Sequence, residues 1–217
     1  MTEMKAVSVS KAEQTFSIRG KNYHYFYHDY NKAWANERTV EVPIINDVLL
    51  HTQAKKILEL GNVMSHYFSV DHTIVDKYET GPAVLNEDIL EYKNNSFFDL
   101  IISISTLEHI GWDESPRDPD KAPKALEKLK SLLTPNGNAY ITVPVGYNPY
   151  LDRALEENRL GFRTSFLKRT TFDNQWEECS IQEAFEMPYN RRIIKNKNSP
   201  FNGANGLAFV TFGRETS

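Results

Sequence analysis

From residue 55 onward, short apolar runs alternate with polar or helical stretches. Lys55-Lys56-Ile57-Leu58-Glu59-Leu60-Gly61-Asn62 carries an apolar run into an acid and a glycine, and Thr73-Ile74-Val75-Asp76 repeats the apolar-to-acid step. Asn86-Glu87-Asp88-Ile89-Leu90 then precedes Phe98-Asp99-Leu100-Ile101-Ile102-Ser103, and Ala139-Tyr140-Ile141-Thr142-Val143 is cut off by Pro144 and Gly146. Strands separated in this way predict a parallel sheet joined by right-handed crossovers. Between the last two, Ala125, Leu126, Leu129, Leu132 and Leu133 fall on one helical stripe, and Thr134-Pro135-Asn136-Gly137 reads as its stop.

The flanks are patterned differently. Residues 1 to about 15 are polar and aperiodic and predict a loose N-terminus. Tyr23, Tyr25 and Tyr27 alternate with His24, Phe26 and His28 after the turn-like Gly20-Lys21-Asn22, which predicts a strand or hairpin. Val42, Ile45, Val48 and Leu49 recur at helical spacing behind Pro43, a residue tolerated in a first turn, so a helix should lead into the Lys55 strand. Past Tyr150 the pattern suggests a short helix over 151–160 ending at Gly161, a strand over 165–171 and a last strand over 206–212. No repeat, low-complexity tract or linker divides the chain, and 217 residues suit one well-buried domain.

Charge and cysteine usage narrow the partners. A formal net charge of −4 provides no global field to gather nucleic acid. Cys179 has no second cysteine to pair with, and Met1-Thr2-Glu3-Met4-Lys5 lacks the apolar core of a secretory signal, so a cytoplasmic location is expected. No apolar run approaches the roughly 20 residues that span a bilayer, and no membrane association is expected.

The polar residues that close the strands lie on the sheet edge where open α/β folds bind ligands. Glu59 ends the first of these strands, ready to accept hydrogen bonds from a ligand or from nearby backbone amides, and Gly61 allows close approach of the chain. Asp76 ends the second, the position from which an acid accepts ribose hydroxyls. Asp88 stands before the apolar Ile89 and Leu90, suited to an exocyclic amine beside an apolar wall. Any one of these acids alone reads more often as a turn or helix cap; it is their order along one edge that suggests a nucleoside site. Gly61-Asn62-Val63-Met64-Ser65-His66 keeps only the first glycine of G-x-G-x-x-G, which argues against NAD or FAD and leaves a smaller nucleoside ligand open.

Over roughly residues 55–145 the chain resembles the class I S-adenosylmethionine-dependent methyltransferases, in particular the ubiquinone-biosynthesis-like branch. Of that family's E-x-G-x-G-x-G it keeps Glu59 and Gly61 and carries Val63 and Ser65 at the later glycines. Asp76 and Asp88 match the family's ribose and adenine acids, and Leu132-Leu133-Thr134-Pro135-Asn136-Gly137 is similar to its L-L-x-P-G-G segment. Phe98 through Ser103 followed by Leu107-Glu108-His109-Ile110 is the most specific match. The resemblance implies a doubly wound, mostly parallel Rossmann-like sheet of about seven strands with an antiparallel last strand, in three α/β/α layers. It implies a single domain over 1–217, with an aromatic extension and lead-in helix (1–54), a cofactor-binding core (55–145) and acceptor-side elements (146–217). The cofactor would be S-adenosyl-L-methionine, held by Glu59, Gly61, Asn62, Asp76, Asp88, Ile89, Ser103 and Ile104.

For methyl transfer to a hydroxyl, His109 is the candidate base, because an unperturbed imidazole titrates near working pH, with Glu108 to orient it. The alternative is that His109 packs and Glu108 caps. Some RNA-terminal methyltransferases bind magnesium through E-x-x-E-H, but the first position here is Ser105, and despite Asp113 and Glu114 nearby no metal is expected. Tyr25, Tyr27, Tyr30 and Trp34 either cover an acceptor pocket or seal a core, and Arg38 either meets the cofactor carboxylate or serves as a helix-terminus charge. The segment from Pro144 to Tyr150 leaves the sheet near the expected site. Arg163, Lys168, Arg169, Arg191 and Arg192 either grip an anionic acceptor group or belong to a mixed solvated surface with Glu156, Glu157, Glu177 and Glu178. The acceptor is expected to be a small polar molecule, a sugar or biosynthetic intermediate. Nucleic acid is not expected, since Ile104-Ser105-Thr106-Leu107 stands where adenine-N6 enzymes carry N-P-P-[YF]. Three alternatives stay open: N-methylation of a small molecule, a non-catalytic nucleoside-binding module, and a nicotinamide-dependent reductase.

Overall fold

A computed structural model describes residues 13–93, 96–158, 161–187, 189 and 203–213. Residues 1–12 of the expected loose N-terminus, Arg191 and Arg192 lie outside the described residues. In chain order the strands and helices are β1 Thr15–Ile18, β2 Lys21–His24, α1 Arg38–His51, β3 Ile57–Leu60, β4 Thr73–Val75, β5 Val84–Leu85 and β6 Phe98–Ile104. There follow α2 Lys121–Ser131, β7 Leu133–Pro144, α3 Pro149–Glu157, β8 Arg163–Arg169, β9 Trp176–Cys179, α4 Ile181–Glu186 and β10 Gly206–Gly213. Eight strands hydrogen-bond in the order β5-β4-β3-β6-β7-β10-β8-β9, one more than the seven or so expected. Neither β5, two residues long, nor β9, whose Trp-Glu-Glu-Cys sequence has no apolar alternation, is announced by the sequence pattern. The fold is α/β, mostly parallel and Rossmann-like. Among the described residues no helix is long and apolar enough to cross a membrane.

The chain divides into two compact units, one of Met1–His51, Pro144–Gly146 and Ser165–Leu207, the other of Thr52–Val143, Tyr147–Thr164 and Ala208–Ser217. In the second unit β3 pairs in parallel with β4 and β6, β4 with β5, and β6 with β7. β6 is buried at every residue but Asp99, the continuous apolar run of a strand covered on both faces. On α2, Ala122, Ala125, Leu126 and Leu129 are buried at helical spacing. Leu133, expected on that stripe, instead pairs with Phe98, and the expected stop Thr134-Pro135-Asn136-Gly137 is the irregular start of β7, where the register shifts before Leu100 meets Asn138. The helix has already ended at Ser131. β10 runs antiparallel to β7. Its first residue accepts at Gly206 O from Val145 N–H (3.1 Å), and its last, Gly213, lies against the carbonyl oxygen of Gly137.

In the first unit β1 and β2 form the expected hairpin, turning at Arg19 (φ 52°) and Gly20 (φ 74°), one residue earlier than the sequence suggested. Two successive positive φ values match the right-handed twist of the strands they join. Phe16 stacks on Tyr23 with ring centroids 5.5 Å apart. Pro43 is the sixth residue of α1, inside the helix and not in its first turn. Proline brings no N–H to the Thr39 carbonyl four residues back. That carbonyl accepts instead from Phe26 N–H at 2.9 Å, while Thr39 Oγ1 donates to Phe26 O at 3.0 Å. β8 and β9 pair antiparallel, and α4 begins with a capping box between Ser180 and Glu183.

Candidate functional site

Within the second unit the strand order reverses between β3 and β6, the switch point at which open α/β sheets leave a crevice beyond their carboxyl ends. Gly61 leaves β3 at φ +86°, and a Cβ built on it would lie 2.0 Å from Thr106 Oγ1, on the turn after β6. Only glycine tolerates both the left-handed backbone and that approach. Ser103 is buried and donates to Leu60 O at 2.9 Å, so it fastens the two strands together at the crevice. Ile104 is buried beside it, and Ser105 turns the chain out at φ 40°.

The loop after Gly61 is held between two carboxylates. Glu59, fully buried, accepts at Oε1 from the N–H groups of Val63 (2.9 Å) and Met64 (2.8 Å), and its Oε2 lies 2.7 Å from His72 Nε2. Asp76 accepts at Oδ2 from Asn62 N–H (3.1 Å) and at Oδ1 from the N–H groups of Tyr78 and Glu79 (both 2.8 Å). A carboxylate offers about four acceptor directions. Glu59 turns its own inward, to the loop backbone and His72, while the partly exposed Asp76 keeps one direction open at Oδ2. Asn62 completes the loop, donating from Nδ2 to Glu79 Oε1 at 2.8 Å and accepting from the Ser65 hydroxyl. These side-chain and carboxylate bonds fix the loop.

Asp88 is tied to this edge through Asn86, whose Nδ2 donates to Asp76 O at 3.1 Å. Asp88 Oδ2 lies 2.6 Å from Lys121 Nζ and 3.1 Å from Lys77 Nζ, and both ammonium groups also reach Glu114 Oε2, at 2.5 and 3.2 Å. Its Oδ1 accepts from Leu90 N–H at 3.1 Å, leaving one acceptor direction there, and Ile89 behind it is buried. Burial of Asp88 and of Glu114 works against their ionisation, but hydrogen bonds from Lys121 and Lys77 outweigh it and hold both carboxyls below their ordinary values. A carboxyl whose pKa is lowered on folding stabilises the folded state above its unfolded value, near 3.9 for Asp and 4.3 for Glu. That contribution disappears as pH falls through the lower folded values. Acid titration of thermal stability should therefore have a shallower limb below about pH 4 in Asp88→Asn than in the unaltered protein; superimposable limbs would remove the cluster from the stability account.

β6 is followed by a short turn, Leu107–His109, that presents the candidate base. His109 is 48% exposed, and its Nδ1 lies 2.6 Å from Asp113 Oδ2. The same oxygen accepts from the Tyr147 hydroxyl at 2.5 Å, and the Tyr147 ring meets the imidazole edge-on at 4.8 Å between centroids. Glu108 is buried, with Oε1 3.5 Å from His109 Nε2, and its backbone oxygen accepts from Asn148 Nδ2 at 3.1 Å. Sequence reading singled out the 144–150 segment, but did not connect Tyr147 or Asp113 to His109. The i,i+4 spacing of His109 and Asp113 was the available signal. Among the described residues no group of three or more His, Cys, Asp or Glu side chains is placed to hold a metal ion.

Other candidates fall in the first unit. Tyr25 is buried and accepts from Trp176 N–H at 2.8 Å, a core position, whereas Tyr30 and Trp34 are exposed. Arg38 pairs with the buried Glu41 on its own helix. Arg169 is buried with its guanidinium 5.2 Å from the Trp176 ring centroid, and burial pushes its pKa down to about 10. Lys168 bridges Glu177 (3.1 Å) and Glu183 (2.6 Å) at the surface, which fits the mixed solvated face.

No protein-family model and no curated protein sequence matches this chain. Among solved structures, it is similar to the N-methyltransferase NodS from Bradyrhizobium japonicum WM9 in complex with S-adenosyl-L-homocysteine, at 12% identity and a TM-score of 0.45 over 83% of this chain and 88% of that one. It is also similar to the plantazolicin methyltransferase BpumL in complex with S-adenosylhomocysteine (14% identity, TM-score 0.42, 78% and 80% covered). TehB from Haemophilus influenzae matches at 11% identity and a TM-score of 0.42, with 81% and 63% covered.

Proposed function

We propose that this protein is an S-adenosylmethionine-dependent methyltransferase acting on a hydroxyl of a small polar acceptor. The observation that carries the reading is the loop that opens at Gly61, placed at the switch point and fixed between the carboxylates of Glu59 and Asp76. The residues suit an adenosyl group. Gly61 gives close backbone approach, Asp76 retains an acceptor direction for a ribose hydroxyl, and Asp88 retains one for the adenine amine. Ser103 and Ile104 build the floor between the strands, Asn62 braces the loop, and Ile89 backs Asp88. When bound, S-adenosylmethionine would supply a methyl group made electrophilic by its sulfonium.

The chain's own contribution is to orient the acceptor and take its proton. The second follows from His109, exposed at the end of the turn after β6, whose Nε2 would remove the acceptor hydroxyl's proton as the oxygen attacks. An oriented imidazole suits a hydroxyl acceptor, which must give up its proton as it attacks. Incubating the protein with methyl-labelled donor and fractionated cell extract tests the reading: label should pass to a small hydroxyl-bearing product, and its absence from every fraction would count against an enzyme.

Asp76→Ala removes the acceptor for Asn62, Tyr78 and Glu79 N–H and for the ribose together. Hydrogen bonds to a charged group are worth about 1.5–3 kcal/mol, so the dissociation constant for S-adenosylhomocysteine should rise about 10–100-fold. An unaltered constant by calorimetry would show that the ribose lies elsewhere.

A further inference from the structure

We infer that Asp113 is the positioning residue of this site, its single oxygen Oδ2 setting the tautomer of His109 and docking the ring of Tyr147 against it. The inference rests on the methyl-transfer reading above only for its catalytic consequence; the arrangement itself stands on distances.

Asp113 Oδ2 lies 2.6 Å from His109 Nδ1 and 2.5 Å from the Tyr147 hydroxyl, both short, as hydrogen bonds to an ionised acceptor are. An ionised carboxylate only accepts. The tyrosine must therefore point its proton at Oδ2, and so must the imidazole, which places the ring proton on Nδ1 and the lone pair on Nε2. Nε2 is then the atom free to take a proton. Glu108 Oε1, 3.5 Å from Nε2, stands where the imidazolium formed by that step would present its new N–H. Glu108 also faces Nε2, but at 3.5 Å it is too far for a hydrogen bond, and the 2.6 Å contact to Asp113 decides which nitrogen of the neutral ring carries the proton.

Tyr147 extends the device to a second element. It reaches Asp113 from the segment after β7, while its neighbour Asn148 donates to Glu108 O at 3.1 Å and also caps α3 through Tyr150 and Leu151 N–H. Two bonds thus tie the turn that carries His109 to the start of α3, and the Tyr147 ring, edge-on to the imidazole at 4.8 Å, restricts its rotation. Asp113 and His109 are 42% and 48% exposed, so their substitution removes little packing.

The test is the nitrogen NMR spectrum of the free protein labelled at histidine, with the His109 signals identified by their loss in His109→Gln. The neutral imidazole should show the pattern of Nδ1–H in the unaltered protein and in Tyr147→Phe, and should move to Nε2–H in Asp113→Ala. Turnover in Asp113→Ala should fall about tenfold or more at little-changed KM, as when a carboxylate stops enforcing a base's tautomer, with partial recovery in Asp113→Glu. An Nε2–H pattern in the unaltered protein, or one that Asp113→Ala leaves unmoved, overturns the inference. The spectrum needs neither donor nor acceptor. Failure to bind S-adenosylhomocysteine would defeat the proposed function and leave the tautomer result intact.

Discussion

His109→Ala should lower turnover by about 10²–10⁴-fold, the usual contribution of a positioned general base, while the affinity for S-adenosylhomocysteine changes little. The separation follows from placement. The imidazole is half exposed on the turn after β6, bonded to Asp113 and adjacent to Tyr147, and takes no part in the bonds that fix the 61–64 loop. Its removal should cost about 0.5–1.5 kcal/mol of stability, the net worth of its hydrogen bond to Asp113. The rate is measured with the acceptor identified by label transfer, and the affinity by calorimetry. Turnover equal to that of the unaltered enzyme would strip His109 of its role as base. A parallel loss of affinity would place it against the donor instead.

Gly61→Ala should cost both stability and donor binding. A non-glycine residue in the left-handed region loses roughly 1–2 kcal/mol, and the new Cβ would meet Thr106 Oγ1 at 2.0 Å and Cγ2 at 2.8 Å. Overpacking of that kind adds about 1–3 kcal/mol. Thr106 is not free to swing away without loss, because its hydroxyl donates to Ile104 O at 3.1 Å. Displacement of either residue moves the loop that Glu59 and Asp76 hold. The two costs are separable. Adding Thr106→Ala removes the two nearest obstructing atoms but leaves Cβ at 2.9 Å, so it should restore part of the overpacking share of stability in urea denaturation and none of the backbone share. Equal stability of Gly61→Ala and the unaltered protein would mean that the turn takes another conformation.

The strands of the core were legible because their physics is local. β3, β4, β6 and the 139–143 part of β7 are apolar runs, and their order along the chain dictates a parallel sheet whose carboxyl edge carries Glu59 and Asp76. β9 escaped because two of its four residues are glutamates and its stabilisation comes from pairing with β8, a partner remote in sequence. The local pattern suggests a first turn for Pro43, because Phe26, which supplies the missing donor to Thr39 O, is remote in sequence. The 134–137 segment carries the residues of a helix stop, yet Leu133 pairs with Phe98 and draws it into β7. At the site, sequence order located the acids but not how their oxygens are divided. That Glu59 spends its carboxylate on the Val63 and Met64 amides and on His72, and that Asp88 is gripped by Lys77 and Lys121, depends on residues brought together only by folding. Tyr147 is the clearest case, since 38 positions separate it from His109 in the sequence.

The claim on which the account turns is that the crevice beside Gly61 receives an adenosyl group. Isothermal titration of the folded protein with S-adenosylhomocysteine measures it directly. Saturable binding at one site per chain is expected, weakened in Asp76→Ala, with no comparable heat from NAD. A protein that is folded by circular dichroism yet gives no heat with S-adenosylhomocysteine, or that binds NAD in its place, would contradict it.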